Sequence, residues 1–93
     1  MKNYNLCIVG LGYVGLPLAV AFAEKYKTIG FDINQNRVEE LKNLIDSTKE
    51  IDSDSLKNII KTESEKEWEN NKGLFPTSDV KKIQNCNVYI ITV

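Results

Sequence analysis

Gly10, Gly12 and Gly15 form a Gly-x-Gly-x-x-Gly run directly behind the apolar stretch Asn-Leu-Cys-Ile-Val, and Asp32 stands 22 residues after Gly10. Glycines fall at this spacing by chance, so the run alone is weak evidence. Set between a strand and an amphipathic helix, with an acidic residue closing the next strand, it describes the phosphate cradle of a dinucleotide-binding unit. Gly10 permits the tight turn, Gly12 leaves room for a pyrophosphate against the backbone, and Gly15 lets the helix pack close on the sheet. The helix N-terminus offers unpaired N–H groups and the positive end of its dipole to the phosphates. Asp32 can accept hydrogen bonds from the adenosine ribose hydroxyls and would repel a 2′-phosphate, so NAD is favoured over NADP. The bland alternative is a glycine-rich turn without a ligand.

Two further residues belong to this constellation by position. Arg37, five residues past Asp32, either lies across the adenine or reaches the ribose, or is a solvated first-turn arginine. Spacing does not choose between these, and an arginine close to the ribose also admits a 2′-phosphate, which keeps NADP open. Thr92 ends the last apolar run, at the carboxyl edge where ligands of parallel sheets bind, and is as readily simple strand as contact. The chain has no His, which removes the commonest general base and metal ligand, and its two cysteines have no partners at metal-ligand spacing. No metal site is expected. Cys7 and Cys86, far apart and each in or near an apolar run, fit reduced, buried thiols better than a disulfide framework.

The elements that must position these groups alternate. Residues 5–9 form a short apolar run suited to a strand buried on both faces. Val14, Leu18, Ala21 and Phe22 then recur at helical spacing toward Tyr26, with Pro17 expected to kink the start of that helix. Residues 27–31 are a second strand ending at Asp32. Asn34 or Asn36 caps a second helix striped by Val38, Leu41 and Ile45. Strand, helix, strand and helix joined by short connections describe a right-handed parallel βαβ unit. Beyond it, Ser53 or Ser55 caps a short helix carrying Leu56, Ile59 and Ile60. Residues 61–72 read as a solvated helix extension or surface loop in which Trp68 packs against the body. Residues 73–77 are a weak strand that Pro76 confines to an edge. Ser78 caps a short helix through Val80 and Ile83, and residues 87–93 form a strong β-branched strand. The expected fold class is α/β, a Rossmann-type doubly wound parallel sheet, truncated to about four strands in the order 3-2-1-4.

Composition narrows the partners. The chain has 93 residues, net charge −1 from 12 Lys and Arg against 13 Asp and Glu, 42% apolar and 27% charged residues. A near-neutral balance gives no electrostatic case for nucleic acid or a membrane surface. The longest nearly apolar stretch, residues 6–23, carries three glycines and a proline and is preceded by no cationic segment, so neither a membrane span nor a signal peptide is expected and the protein reads as cytoplasmic. An apolar strand at the end of the chain lacks the loop and helix that would cover it. The expectation is a truncated chain: residues 1–93 as an incomplete N-terminal NAD-binding domain, with self-association through the exposed strand at 88–93.

A family resemblance rests on four stretches. Residues 8–19 (Ile-Val-Gly-Leu-Gly-Tyr-Val-Gly-Leu-Pro-Leu-Ala), 30–34 (Gly-Phe-Asp-Ile-Asn), Arg37 with Val38, and 88–93 (Val-Tyr-Ile-Ile-Thr-Val) together resemble the N-terminal portion of the UDP-glucose/GDP-mannose dehydrogenase family. The Gly-Tyr-Val-Gly-Leu-Pro-Leu-Ala form is closer to the branch that oxidises UDP-N-acetylhexosamines than to the UDP-glucose branch, and residues 46–50 are similar to the Asp-x-Thr-x-Glu that follows the second helix there. The resemblance implies NAD as cofactor and a four-electron oxidation of a nucleotide sugar's C6 alcohol to the carboxylate for surface polysaccharide, by a homo-oligomer several times longer than this chain. It carries over as cofactor residues Gly10, Gly12, Tyr13, Val14, Gly15, Asp32 and Arg37, with Thr92 and Val93 near the cofactor. It supplies no catalytic residue, since the family's cysteine, lysine and Asn/Asp groups lie beyond the matched region and neither Cys7 nor Cys86 corresponds to the nucleophile. Two departures stand out: Leu44 near where the family has a helix-ending glycine, and an apparent insertion at 61–72. A non-enzymatic NAD-sensing module and another Rossmann dehydrogenase, such as one acting on hydroxy acids, share the same glycine turn.

Overall fold

The computed structural model describes residues 5–61 and 72–92, and the readings of Trp68, of all but the two ends of segment 61–72 and of Val93 fall outside them. Four parallel strands, β1 (Asn5–Val9), β2 (Lys27–Phe31), β3 (Gly73–Thr77) and β4 (Val88–Ile91), lie in the order β3-β2-β1-β4. This is the sheet expected from the sequence. Register pairs Ile8 with both Gly30 and Ile90, and Gly30 with Pro76, so these side chains share one face. Pro76 sits on edge strand β3, where a missing N–H breaks no ladder.

Helices α1 (Gly15–Ala23), α2 (Gln35–Lys42) and α3 (Ser53–Ile59) all contribute to one buried cluster, in which Leu16, Ala19, Leu41 and Leu56 meet Ile8 of β1 and Leu74 of β3. The opposite sheet face, bearing Val9, Ile29, Phe31 and Phe75, is half-buried, and Ile91 on it is 74% exposed.

Several local expectations are corrected. The buried face of α1 is Gly15, Leu16, Ala19 and Ala23, whereas Val14 and Ala21 are exposed. The helix is apolar nearly all round, so periodicity cannot select its inner side. The small residues face the sheet because they allow close approach. Pro17 is the third residue of α1, and the helix continues through it, with the Leu16 N–H on the Gly12 carbonyl at 3.1 Å before it and the Leu18 N–H on the Val14 carbonyl at 3.4 Å after it.

Helix α2 is capped by Asn34, whose Oδ1 accepts from the Arg37 N–H at 3.2 Å, and it buries Val38 and Leu41 but ends before Ile45. Its end is set by Leu44 at φ 64°. The Ile45 N–H closes back on the Glu40 carbonyl at 2.9 Å, so a leucine occupies the left-handed position that glycine usually fills. The caps of the later turns are carboxylates rather than serines. Asp52 accepts from the Ser55 N–H at 2.8 Å, and Asp79 from the Lys81 N–H at 2.9 Å in a 3₁₀ turn at Val80–Ile83. Both Asp and Ser are favoured caps, and in each case the Asp lies just before the serine or turn in question.

Candidate functional site

Strand β1 delivers the chain to a turn at the carboxyl edge of the sheet. Gly10 there has φ 103°, and its N–H donates to the Phe31 carbonyl at 2.8 Å. A Cβ on Gly15 would lie 1.6 Å from the Gly10 carbonyl oxygen, so α1 starts directly against the turn. Gly12 is the opposite case: a Cβ would meet nothing within 4 Å. One glycine is required by contact inside the protein and the other borders open space. The turn is also anchored through Leu11, whose fully buried side chain lies over Gly30; a Cβ on Gly30 would come within 2.9 Å of it.

Gly10, Leu11, Gly12, Tyr13, Val14, Gly15, Asp32 and Thr92 line a cleft of about 300 Å³. Seven of the nine residues named from the sequence therefore share one cleft. Tyr13 and Val14 are 68% and 61% exposed at its rim. Val14 occupies the N-cap of α1 without a side-chain cap bond, and the first turn holds no acidic residue. The uncapped helix end thus keeps its positive potential directed at the cleft.

Asp32 closes β2. Its Oδ2 accepts from the Leu11 N–H and its Oδ1 from the Asn34 N–H, both at 2.9 Å. Each oxygen retains acceptor capacity for a further hydroxyl. Thr92 braces the far wall: its N–H donates to the Val9 carbonyl at 2.9 Å, and its hydroxyl lies 3.0 Å from the Gly10 carbonyl oxygen and 3.2 Å from that of Val9.

The structure places Arg37 elsewhere. It is 7% exposed and does not line the cleft, so it is neither laid across open space for an adenine nor a solvated first-turn residue. Its Nε donates to the Leu11 carbonyl at 2.7 Å and its Nη1 to Asp46 Oδ1 at 2.8 Å, with Glu40 at 3.4 Å. Nη2 is buried without a hydrogen-bond partner among the described residues.

Asp46, which the sequence marks only as part of the family-like string 46–50, is the second buried charge beside the turn. Oδ1 accepts from the Thr48 N–H at 3.0 Å and the Thr48 hydroxyl at 2.6 Å, and Oδ2 from the Glu50 and Ile51 N–H groups, each at 2.9 Å. Burial alone would raise this carboxyl, but the donors from Thr48, Arg37 and Ile51 outweigh it and hold the pKa at about 2. The Asp-Ser-Thr turn chemistry was the available signal, but its burial against Arg37 could not be read from sequence.

The cysteines lie apart from the cleft. Both are free and buried, and burial, with Cys86 nearby, pushes the Cys7 thiol up to about 12. No three His, Cys, Asp or Glu side chains among the described residues gather as a metal site. No helix among the described residues is long and apolar enough to cross a membrane.

Comparison with known proteins places this geometry. Over its full length the chain is 46% identical to UDP-N-acetyl-D-glucosamine 6-dehydrogenase of Pseudomonas aeruginosa and 43% identical to the enzyme of the same name from Salmonella typhi, covering 19% of each. It superposes on UDP-D-ManNAc dehydrogenase of Pyrococcus horikoshii with a TM-score of 0.74 at 26% identity, over 96% of this chain and 20% of that one. The chain spans about a fifth of the length of these relatives. Residues 4–93 match the NAD binding domain model of the UDP-glucose/GDP-mannose dehydrogenase family, and the chain belongs to that family, carrying its NAD-binding domain.

Proposed function

We propose that this chain is the N-terminal, cofactor-holding part of a nucleotide-sugar 6-dehydrogenase that oxidises the C6 alcohol of a UDP-N-acetylhexosamine or a UDP-glucose-type sugar to the carboxylate. The observation that carries the reading is the cleft itself, which joins an open face at Gly12, an uncapped helix start and the Asp32 carboxylate. NAD, when bound, supplies the hydride acceptor for each two-electron step. The chain's own residues bind and orient it. The Gly12 backbone and the start of α1 would hold the pyrophosphate and Asp32 would accept from the adenosine ribose, while Thr92 braces the turn through the Gly10 carbonyl. Tyr13 and Val14 stand at the rim, and Val93 is the residue after Thr92 in the sequence.

Neither thiol of the chain is suited to attack a substrate. Cys7 is fully buried with a pKa near 12, which keeps it protonated at neutral pH. Residues 1–93 would accordingly be an incomplete Rossmann domain whose second sheet face and β4 edge are covered by further chain, in a cytoplasmic homo-oligomer that supplies uronic acids for surface polysaccharide. The test is turnover of a panel of UDP-sugars by the full-length protein with NAD and with NADP, following cofactor reduction. Two equivalents of NADH per UDP-N-acetylhexosamine are expected. Binding of NAD without turnover of any UDP-sugar would favour a sensing module instead, and reduction of NAD by hydroxy acids a different dehydrogenase.

A further inference from the structure

Leu11, the residue between the first two glycines of the turn, is held from three sides. Its N–H is taken by Asp32, its carbonyl by Arg37 Nε, and its side chain is fully buried. The Arg37 guanidinium is itself fixed by Asp46, whose side chain is completely buried and accepts five hydrogen bonds, one from Arg37 and four from residues 48–51 of its own loop. A chain of charge-assisted bonds therefore runs from the 46–51 loop through Arg37 to the glycine turn. An arginine that shares Leu11 with Asp32 would, if free to move, offer a cation to a ribose 2′-phosphate. Here its Nε and Nη1 are already committed.

We propose that Asp46 is a positioning residue that determines cofactor specificity: it clamps Arg37 onto the Leu11 carbonyl and so withholds the guanidinium from a 2′-phosphate. This rests on the reading of Gly10, Gly12, Gly15 and Asp32 as the NAD site. Discrimination against NADP then has two sources, repulsion by the Asp32 carboxylate and sequestration of the Arg37 guanidinium by Asp46. Glu40, 3.4 Å from Nη1, is the other carboxylate facing Arg37, and two groups on the 46–51 loop also engage it, the Ser47 N–H and hydroxyl, each at 3.0 Å.

Asp46→Asn is an apt perturbation. Donors face both carboxylate oxygens, so a carboxamide must turn its NH₂ toward either the Thr48 and Arg37 donors or the Glu50 and Ile51 N–H groups. Calorimetric titration of the full chain with NAD and with NADP reads the ratio of the two dissociation constants. Asp46→Asn is expected to cut the preference for NAD about tenfold, the scale of one charge-assisted hydrogen bond. Arg37→Gln combined with Asp46→Asn should restore the preference, because no cation remains to be released. A purely structural role for Asp46 would weaken both cofactors alike, and a ratio within twofold of wild type overturns the proposal. Asp32→Ala is the separate control for the site: if it leaves NAD binding unchanged, the site reading fails rather than the clamp.

A cofactor-free readout is amide hydrogen exchange. Asp46→Asn should speed exchange at Leu11 and Gly12 about tenfold while Leu74 and Phe75 of β3 stay protected; equal acceleration everywhere, or none at Leu11, counts against the clamp. Should Asp46→Asn fail to fold, Thr48→Val removes only the hydroxyl donor 2.6 Å from Oδ1. It is expected to shift the same exchange rates in the same direction by about threefold, and no shift overturns the proposal.

Discussion

Substituting alanine at Gly12 and at Gly15 separates the two demands that the glycine turn meets. At Gly15 the added methyl would sit 1.6 Å from the Gly10 carbonyl oxygen, 2.7 Å from its carbon and 2.8 Å from the Thr92 hydroxyl. Ordinary contact begins near 3.4 Å, so helix start and turn would have to part by about 2 Å. The obstructing atoms are mainly backbone, and no side chain can rotate to relieve them. Overpacking of this kind costs at least about 3 kcal/mol, a large part of the ~5–15 kcal/mol that holds a small domain folded. At Gly12 nothing lies within 4 Å and φ is not in the left-handed range, so alanine should leave stability unchanged or raise it by up to about 1 kcal/mol. The same methyl would occupy the room the cleft keeps for a pyrophosphate, weakening NAD at least about tenfold, or 1.4 kcal/mol. Urea unfolding followed by circular dichroism gives the first quantity and calorimetric NAD titration the second. A Gly15→Ala variant losing under 1 kcal/mol, or a Gly12→Ala variant that binds NAD as tightly as wild type, would refute the assignment of the two glycines.

Other outcomes follow from the same contacts. The Asp46 carboxyl is depressed from 3.8 to about 2, so it contributes about 2 kcal/mol of stability that is fully present above pH 4 and is lost as pH falls through about 2; unfolding curves of wild type and Asp46→Asn should converge by that amount between pH 5 and 2, and parallel curves would count against it. Lys49, exposed at φ 60°, should gain about 0.5–1 kcal/mol on replacement by glycine, and a loss in urea unfolding would remove the strain assigned there. Ile91, 74% exposed on edge strand β4, should promote self-association; Ile91→Lys is expected to shift light scattering toward monomer, and identical profiles would contradict this.

The strand positions and the glycine cradle were legible in the sequence because each depends on short-range chemistry, and the sheet order followed from the fold class these elements imply. Apolar runs of strand length, glycines at a fixed spacing and an acidic residue at the end of the second strand have meanings that survive without coordinates. The inward side of α1 was not legible. Leu16, Ala19 and Ala23 face the sheet, yet Val14, Leu18, Ala21 and Phe22 make an equally apolar stripe, and only the contact at Gly15 selects between them. The caps at Asp52 and Asp79 were misplaced by a residue or more for a similar reason, since adjacent Asp and Ser are both good caps and the surrounding packing chooses.

Arg37 marks the limit most clearly. Its distance from Asp32 along the chain is compatible with adenine, ribose or solvent. The structure turns it inward because Asp46, nine residues further on, arrives behind the glycine turn as a buried carboxylate that needs a cation. The sequence by itself determined that a glycine cradle exists and seven of the residues that line its cleft, because that follows from backbone conformation and local spacing. Which charged groups brace the cradle was decided only by tertiary structure, because the pairing of two buried charges depends on where separate loops meet in space.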